Sequence, residues 1–183
     1  MKKRASYFIC KTIFACVALF SFMNLSAQEM GKWKSYLSYS QVSEVLLAKD
    51  KVYALSDGAL FSVDVEYESV QVYTKVEGLS DGEIVHLGYN EDLDKLVIVY
   101  ANGNIDLLEG DQITNISDLK RKEINGKNVH SIVCHGKYAY LSCGLGIVVV
   151  DVKKEEIADT YIIGANGGFL ATYKVEIVGD SIY

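Results

Sequence analysis

The sequence predicts an all-β fold: an incomplete β-propeller of about three four-stranded antiparallel blades plus the start of a fourth, after an N-terminal signal peptide. The first reason is a repeat. Residues 51–65 (KVYALSDGALFSVDV) form two short apolar β runs hinged at Asp57-Gly58, and looser copies stand at 95–108 (KLVIVYANGNIDLL) and 137–152 (KYAYLSCGLGIVVVDV). A fourth begins at 179–183 (GDSIY). Gly58 and Gly103 stand 45 residues apart, and a period of about 40–45 residues filled with short strands is that of a propeller blade. The second reason is burial on both faces: 96–100 (LVIVY) and 147–150 (IVVV) are apolar at every position, which suits a sheet sandwiched between two others. The third is what separates the runs. The gaps are turn-length and hold no amphipathic helix, which excludes a parallel α/β sheet.

Three segments follow: a signal peptide at 1–27, a lead-in or ring-closing strand at 28–40, and a partial propeller at 41–183, with blades near 41–81, 82–124, 125–168 and a truncated one at 169–183. Lys2-Lys3-Arg4 is a charged n-region, 12–22 (TIFACVALFSF) an apolar h-region, and Leu25-Ser26-Ala27 a small-residue cleavage site, leaving Gln28 first. The apolar run is too short to span about 30 Å of hydrocarbon. The chain is thus expected to be exported, to the periplasm or the outer-membrane cell surface. The lead-in (QEMGKWKSYLSYS) holds the only tryptophan, Trp33, and alternates like a strand.

In blade one, strands are expected at 42–47, 51–56, 59–65 and 70–74, with turns at Lys49-Asp50 and Asp57-Gly58, where glycine supplies the positive φ of a tight hairpin. The stretch 77–83 (EGLSDGE) carries the chain onward to blade two, expected at 84–89, 95–100, 104–108 and 113–116. Residues 118–124 (DLKRKEI) hold the cationic patch Lys120-Arg121-Lys122, read as a solvated loop or single helical turn. Blade three is expected at 129–134, 138–142, 146–151 and 157–163, and 164–168 (GANGG) as a flexible connector. The fourth blade has only 172–178 and 179–183. Closed propellers use about four to eight blades, so the chain is expected to be the front of a longer protein.

Composition bounds the chemistry. Half of the residues are hydrophobic, enough for a packed core. The net charge is −6, and the signal segment removes four bases and no acid, which argues against nucleic acid as a partner. Cys134 and Cys143 are expected on neighbouring strands turning at His135-Gly136, too far apart along the ladder to bridge, and read as two small apolar side chains. His130, Cys134 and His135 match no zinc spacing, and alternate strand residues point to opposite faces. The acidic run 90–94 (NEDLD) opens like a calcium loop, but Lys95 stands where the turn glycine belongs and Ala101 where the bidentate glutamate belongs. Asn115-Ile116-Ser117 fits a glycosylation triplet and also ordinary loop chemistry. Tyr53, Tyr100 and Tyr140 sit at strand positions and are read as core. No nucleophile, acid–base or metal set assembles from local motifs, so no catalytic, cofactor-binding or metal residue is assigned and no cofactor is expected.

The set WKSYLSY (33–39), VYALSDGALFSVD (52–64), GLSD (78–81), NGNIDLL (102–108) and YLSCGLGIVVVD through DTYIIG (140–164) resembles the N-terminal propeller of the PorZ family, cell-surface components of the Bacteroidetes type IX secretion system. GLSD before an aliphatic strand is also similar to the propellers of hybrid two-component regulators. The resemblance implies a protein of two propellers and a C-terminal β-sandwich, working beside a sortase-like protease, an outer-membrane shuttle protein and anionic lipopolysaccharide. It offers no catalytic residues to carry over. The leading reading of function is a non-catalytic scaffold for protein or glycan contact in cargo maturation and lipopolysaccharide attachment. The alternative is a periplasmic ligand-sensing propeller of a two-component regulator, and a third, a propeller lyase or hydrolase, needs histidines and carboxylates from several blades gathered in the channel.

Overall fold

Short β-branched and aromatic runs, cut by glycine and by polar turn residues, leave the chain little choice but hairpins. A computed structural model describes residues 41–179 and 181–183; the signal peptide expected at 1–27 and the lead-in at 28–40 lie outside them. Blade one is the sheet β1 (Val42–Ala48), β2 (Lys51–Ser56), β3 (Ala59–Asp64) and β4 (Val70–Tyr73), paired in that order. Blade two is β5 (Ile84–Asn90), β6 (Lys95–Tyr100), β7 (Ile105–Glu109) and β8 (Gln112–Ile116), again in order. After a four-residue helical turn, α1 (Asp118–Arg121), blade three follows as β9 (Val129–His135), β10 (Tyr138–Cys143), β11 (Gly146–Asp151) and β12 (Glu156–Tyr161). All pairings are antiparallel. Three blades and part of a fourth make the incomplete propeller that the repeat predicts.

The blades stack as the aliphatic runs require. Along β6, Leu96, Ile98 and Tyr100 enter a core shared with Tyr53, Leu55, Leu60 and Tyr73 of blade one. The alternating Val97 and Val99 enter a second core with Leu141, Val148 and Val150 of blade three. Side chains alternate across a strand, so a sheet roofed on both faces must be apolar at consecutive positions. Each fully buried aliphatic side chain contributes roughly 1.5–3 kcal/mol. Blade one presents its other face to solvent, with Val45 and Leu47 more than 60% exposed.

The first strands meet one another at the hub, β5 touching both β1 and β9. Each carries a β-bulge at the same place: the ladder steps from Val42 to Glu44, from Ile84 to His86, and from Val129 to Ser131 against single-residue steps on the partner strand. The extra residues are Ser43, Val85 and His130. A bulge adds bend and twist to a strand without changing its partners.

Two expectations shift. The β9–β10 turn is Gly136-Lys137, not His135-Gly136, so Cys134 stands opposite Ala139. That places Cys143 four residues along the ladder, roughly 13 Å away at 3.3 Å per residue. Both thiols are free, and burial pushes each up to about 12. The fourth unit is shorter than expected: β13 (Ile177–Val178) and β14 (Ser181–Ile182), extended by reciprocal backbone bonds of 2.9 and 2.8 Å between Glu176 and Tyr183. Residues 172–175 join no strand ladder; the Thr172 N–H bonds the Cys143 carbonyl (2.9 Å) and Val175 packs against Ile147 and Val149 of blade three. The connector expected at 164–168 contains a 3₁₀ turn, Ala165–Gly167.

Candidate functional site

Polar chemistry concentrates in two places, both between blades. On the connector side, β7 carries Asp106, a fully buried carboxylate among the apolar Ile105, Leu107 and Leu108. It accepts the Tyr100 hydroxyl (2.6 Å), the Ser80 backbone N–H (2.9 Å) and the Asn115 amide (2.7 Å). Three donors compensate the cost of burying a charge. Burial, with Asp106 alongside, pushes the Tyr100 hydroxyl well above its ordinary range.

One residue past Ser80, Asp81 accepts the side chains of Asn102 and Asn104 (both 2.9 Å) and Lys120 Nζ (2.7 Å), while Lys75 Nζ stands 3.7 Å away. The Lys120 and Asn102 bonds hold the Asp81 carboxyl down at about 2. The GLSD stretch is thus the hinge between blades one and two, its last two residues tied to the NGNID stretch of blade two. Backbone bonds complete the tie: Ile84 N–H to Gly58 carbonyl (3.1 Å) and Ala101 N–H to Glu83 carbonyl (3.0 Å).

The opposite end of the blade interfaces holds the second concentration. Lys95, 8% exposed, reaches Glu109 of its own blade (2.9 Å) and Glu155 of blade three (2.8 Å). The Glu155 bond raises the lysine and lowers the glutamate, each stabilising the other's charged form. Between blades one and two, Lys49 is bonded to Asp94, which also accepts the Tyr89 hydroxyl (2.6 Å). At the hub, Glu44 of blade one accepts the Leu87 backbone N–H (3.1 Å) and lies 3.2 Å from His86 Nδ1.

The sequence candidates disperse accordingly. His130 stacks on Tyr173 with centroids 4.6 Å apart, Cys134 packs against the core between blades two and three, and His135 is exposed. In the acidic run, Asn90 accepts the Leu93 N–H (3.0 Å) and donates to the Gly136 carbonyl (2.8 Å), so its side chain fastens two hairpins. Asn115 is committed to Asp106 and Asn104 (3.0 Å). In the cationic patch, Lys120 is bonded to Asp81 and Arg121 to Asp118 (3.0 Å), and the carbonyls of Lys120 and Lys122 accept Lys127 Nζ (3.0 and 2.9 Å). Tyr53 and Tyr100 are buried and Tyr140 half-buried. The acid–amide network around Asp106 was not anticipated; the signal was an aspartate inside the apolar run NIDLL.

Among the described residues no helix is long and apolar enough to cross a membrane. No curated protein matches the chain. A family described as the TSS9, PorZ, N-terminal β-propeller domain matches residues 52–182. Among solved structures, PorZ of Porphyromonas gingivalis, described as an essential bacterial surface component of the type IX secretion system, is 34% identical with a TM-score of 0.69. That match covers 73% of this chain and 18% of the other, so the chain spans about a fifth of that relative's length. AztD of Citrobacter koseri (16% identity, TM-score 0.57, 78% of this chain and 40% of that one) shares the fold. So does the extracellular domain of a protein described as a hybrid two-component system from B. thetaiotaomicron (16% identity, TM-score 0.54, 80% and 20%). On the family match and the identity to PorZ together, the chain belongs to the family of PorZ N-terminal β-propeller domains of the type IX secretion system.

Proposed function

We propose that the chain is a non-catalytic interaction scaffold of a type IX secretion system, exported by cleavage after Ala27 and acting at the outer-membrane cell surface. The observation that supports this most is the family match over 52–182, which includes both stretches of the inter-blade tie, GLSD and NGNIDLL. Buried carboxylates and lysines spent on joining blades are what a rigid platform requires, and they leave loops for contact. Partners in this reading are a sortase-like protease and an outer-membrane shuttle protein, with anionic lipopolysaccharide as the glycan contact in cargo maturation and attachment. Residues 28–40 serve as a lead-in or ring-closing strand, and the blades divide near 41–81, 82–124, 125–168 and 169–183.

The test is genetic and biochemical. Deleting the gene in its host should leave secreted cargo unprocessed and without attached lipopolysaccharide, and an affinity-tagged protein should co-purify with the protease and shuttle subunits. Its first residue, by N-terminal sequencing, should be Gln28. Normal cargo processing in the deletion strain would refute the role. The likeness to the two-component sensor domain, at 16% identity, reaches the fold alone.

A further inference from the structure

Lys51 and Lys95 occupy the same place in successive blades. Each opens the second strand of its blade, on the face that carries the core shared with the next: Tyr53 and Leu55 continue that face in β2, Val97 and Val99 in β6. Their surroundings then diverge. Lys95 is paired by Glu109 on β7 and by Glu155 from blade three. Glu155 reaches it because the turn between β11 and β12 is four residues long, 152–155. In blade two the corresponding turn, between β7 and β8, is only Gly110 and Asp111, so no carboxylate is delivered to Lys51.

Nor does its own blade supply one. Lys51 stands opposite Asp64, whose Oδ1 accepts the backbone N–H groups of Glu66 (3.0 Å) and Tyr67 (2.9 Å), and the two side chains form no ion pair. Among the described residues Lys51 has no ion-pair partner. It lines a cavity of about 130 Å³ between blades one and two, with Tyr53, Tyr89 and Gly110, the glycine of the short turn. Of the other three charged residues on its lining, Lys49 and Asp94 are bonded to each other and Asp50 is exposed. The cavity lies between two complete blades.

We propose that this cavity is a binding site for a carboxylate group, seated against Lys51 as Glu155 is seated against Lys95. The volume is that of about four waters, which admits an aliphatic acid of a few carbons or the end of an acidic side chain. The Tyr89 hydroxyl on the wall already donates to Asp94 (2.6 Å), which leaves the Lys51 ammonium as the donor to an incoming carboxylate, and Leu96 and Leu108 form an apolar floor.

The experiment titrates the full chain with acetate, succinate and a blocked glutamate dipeptide, following amide shifts of residues 49–53 and 108–111 by NMR. Saturable shifts with any of the three support the site. Binding confined to the dipeptide identifies the source as a protein side chain, whereas binding of the free acids identifies a small metabolite. Lys51→Met should weaken binding at least about tenfold, the scale of one charge-assisted hydrogen bond, and Lys51→Arg should retain it. Replacing Gly110-Asp111 with the blade-three turn Val-Lys-Lys-Glu should abolish binding by supplying an internal carboxylate. The proposal is overturned if no probe gives a saturable shift by about 20 mM, weaker than a millimolar site. It is equally overturned if folded Lys51→Met binds as well as the parent.

Discussion

Asp106 is fully buried and accepts from three donors, Tyr100, Ser80 and Asn115, that tie the connector to blade two. Asp106→Asn would turn an amide N–H₂ toward groups that are themselves donors, so a loss of about 3–5 kcal/mol is expected in urea unfolding. Tyr100→Phe removes one donor of three and should cost about 1–2 kcal/mol. Asp81 makes a prediction in pH. Its folded value lies near 2 against an ordinary 3.8, so its contribution is complete above about pH 4 and is lost as pH falls toward 2. Acid unfolding of the parent should therefore steepen across that window, and Asp81→Asn should flatten the slope there. An unchanged slope would mean that the Lys120 bond does not differ between the folded and unfolded states.

At the scale of the element, the hairpins and connectors depend on a few backbone positions. Gly126, at φ +79°, lies against the β10–β11 turn; a Cβ there would sit 2.8 Å from Gly144 C and Leu145 N. Its carbonyl also accepts the Leu145 N–H (2.9 Å), so connector and turn are locked together. Gly136, at φ +55°, has nothing within 4 Å of the same added atom. Gly126→Ala should destabilise by clearly more than the roughly 1–2 kcal/mol of left-handed strain expected for Gly136→Ala. Equal losses in thermal unfolding would show that the connector simply moves aside. The bulge repeated in β1, β5 and β9 belongs to this scale too. It shifts the register of each first strand by one residue beyond the bulge.

For the whole molecule, stability resides in the faces between blades. Leu141, fully buried between blades two and three, should cost about 2–5 kcal/mol when replaced by alanine. Val45, 62% exposed on the open face of blade one, should be near-neutral to stability as Val45→Thr while lowering self-association, as read by light scattering. A stability loss at Val45 matching that at Leu141 would mean that the outer face is covered as well as the inner ones.

The strands of the three complete blades, to within a residue or two at their ends, their order and the stacking of blades were legible in the residues, because they follow from local rules: period-two alternation, turn residues with permitted positive φ, and runs apolar on both faces. Resemblance added the family. What only the tertiary structure decided is which charges meet. Asp106, Asp81 and Lys120 come from three separate stretches, and Lys95 meets Glu155 while the equivalent Lys51 meets no acid among the described residues, owing to a two-residue difference in turn length in the neighbouring blade. Such pairings depend on distances between elements remote in sequence, set by how whole sheets pack, and no local pattern carries them.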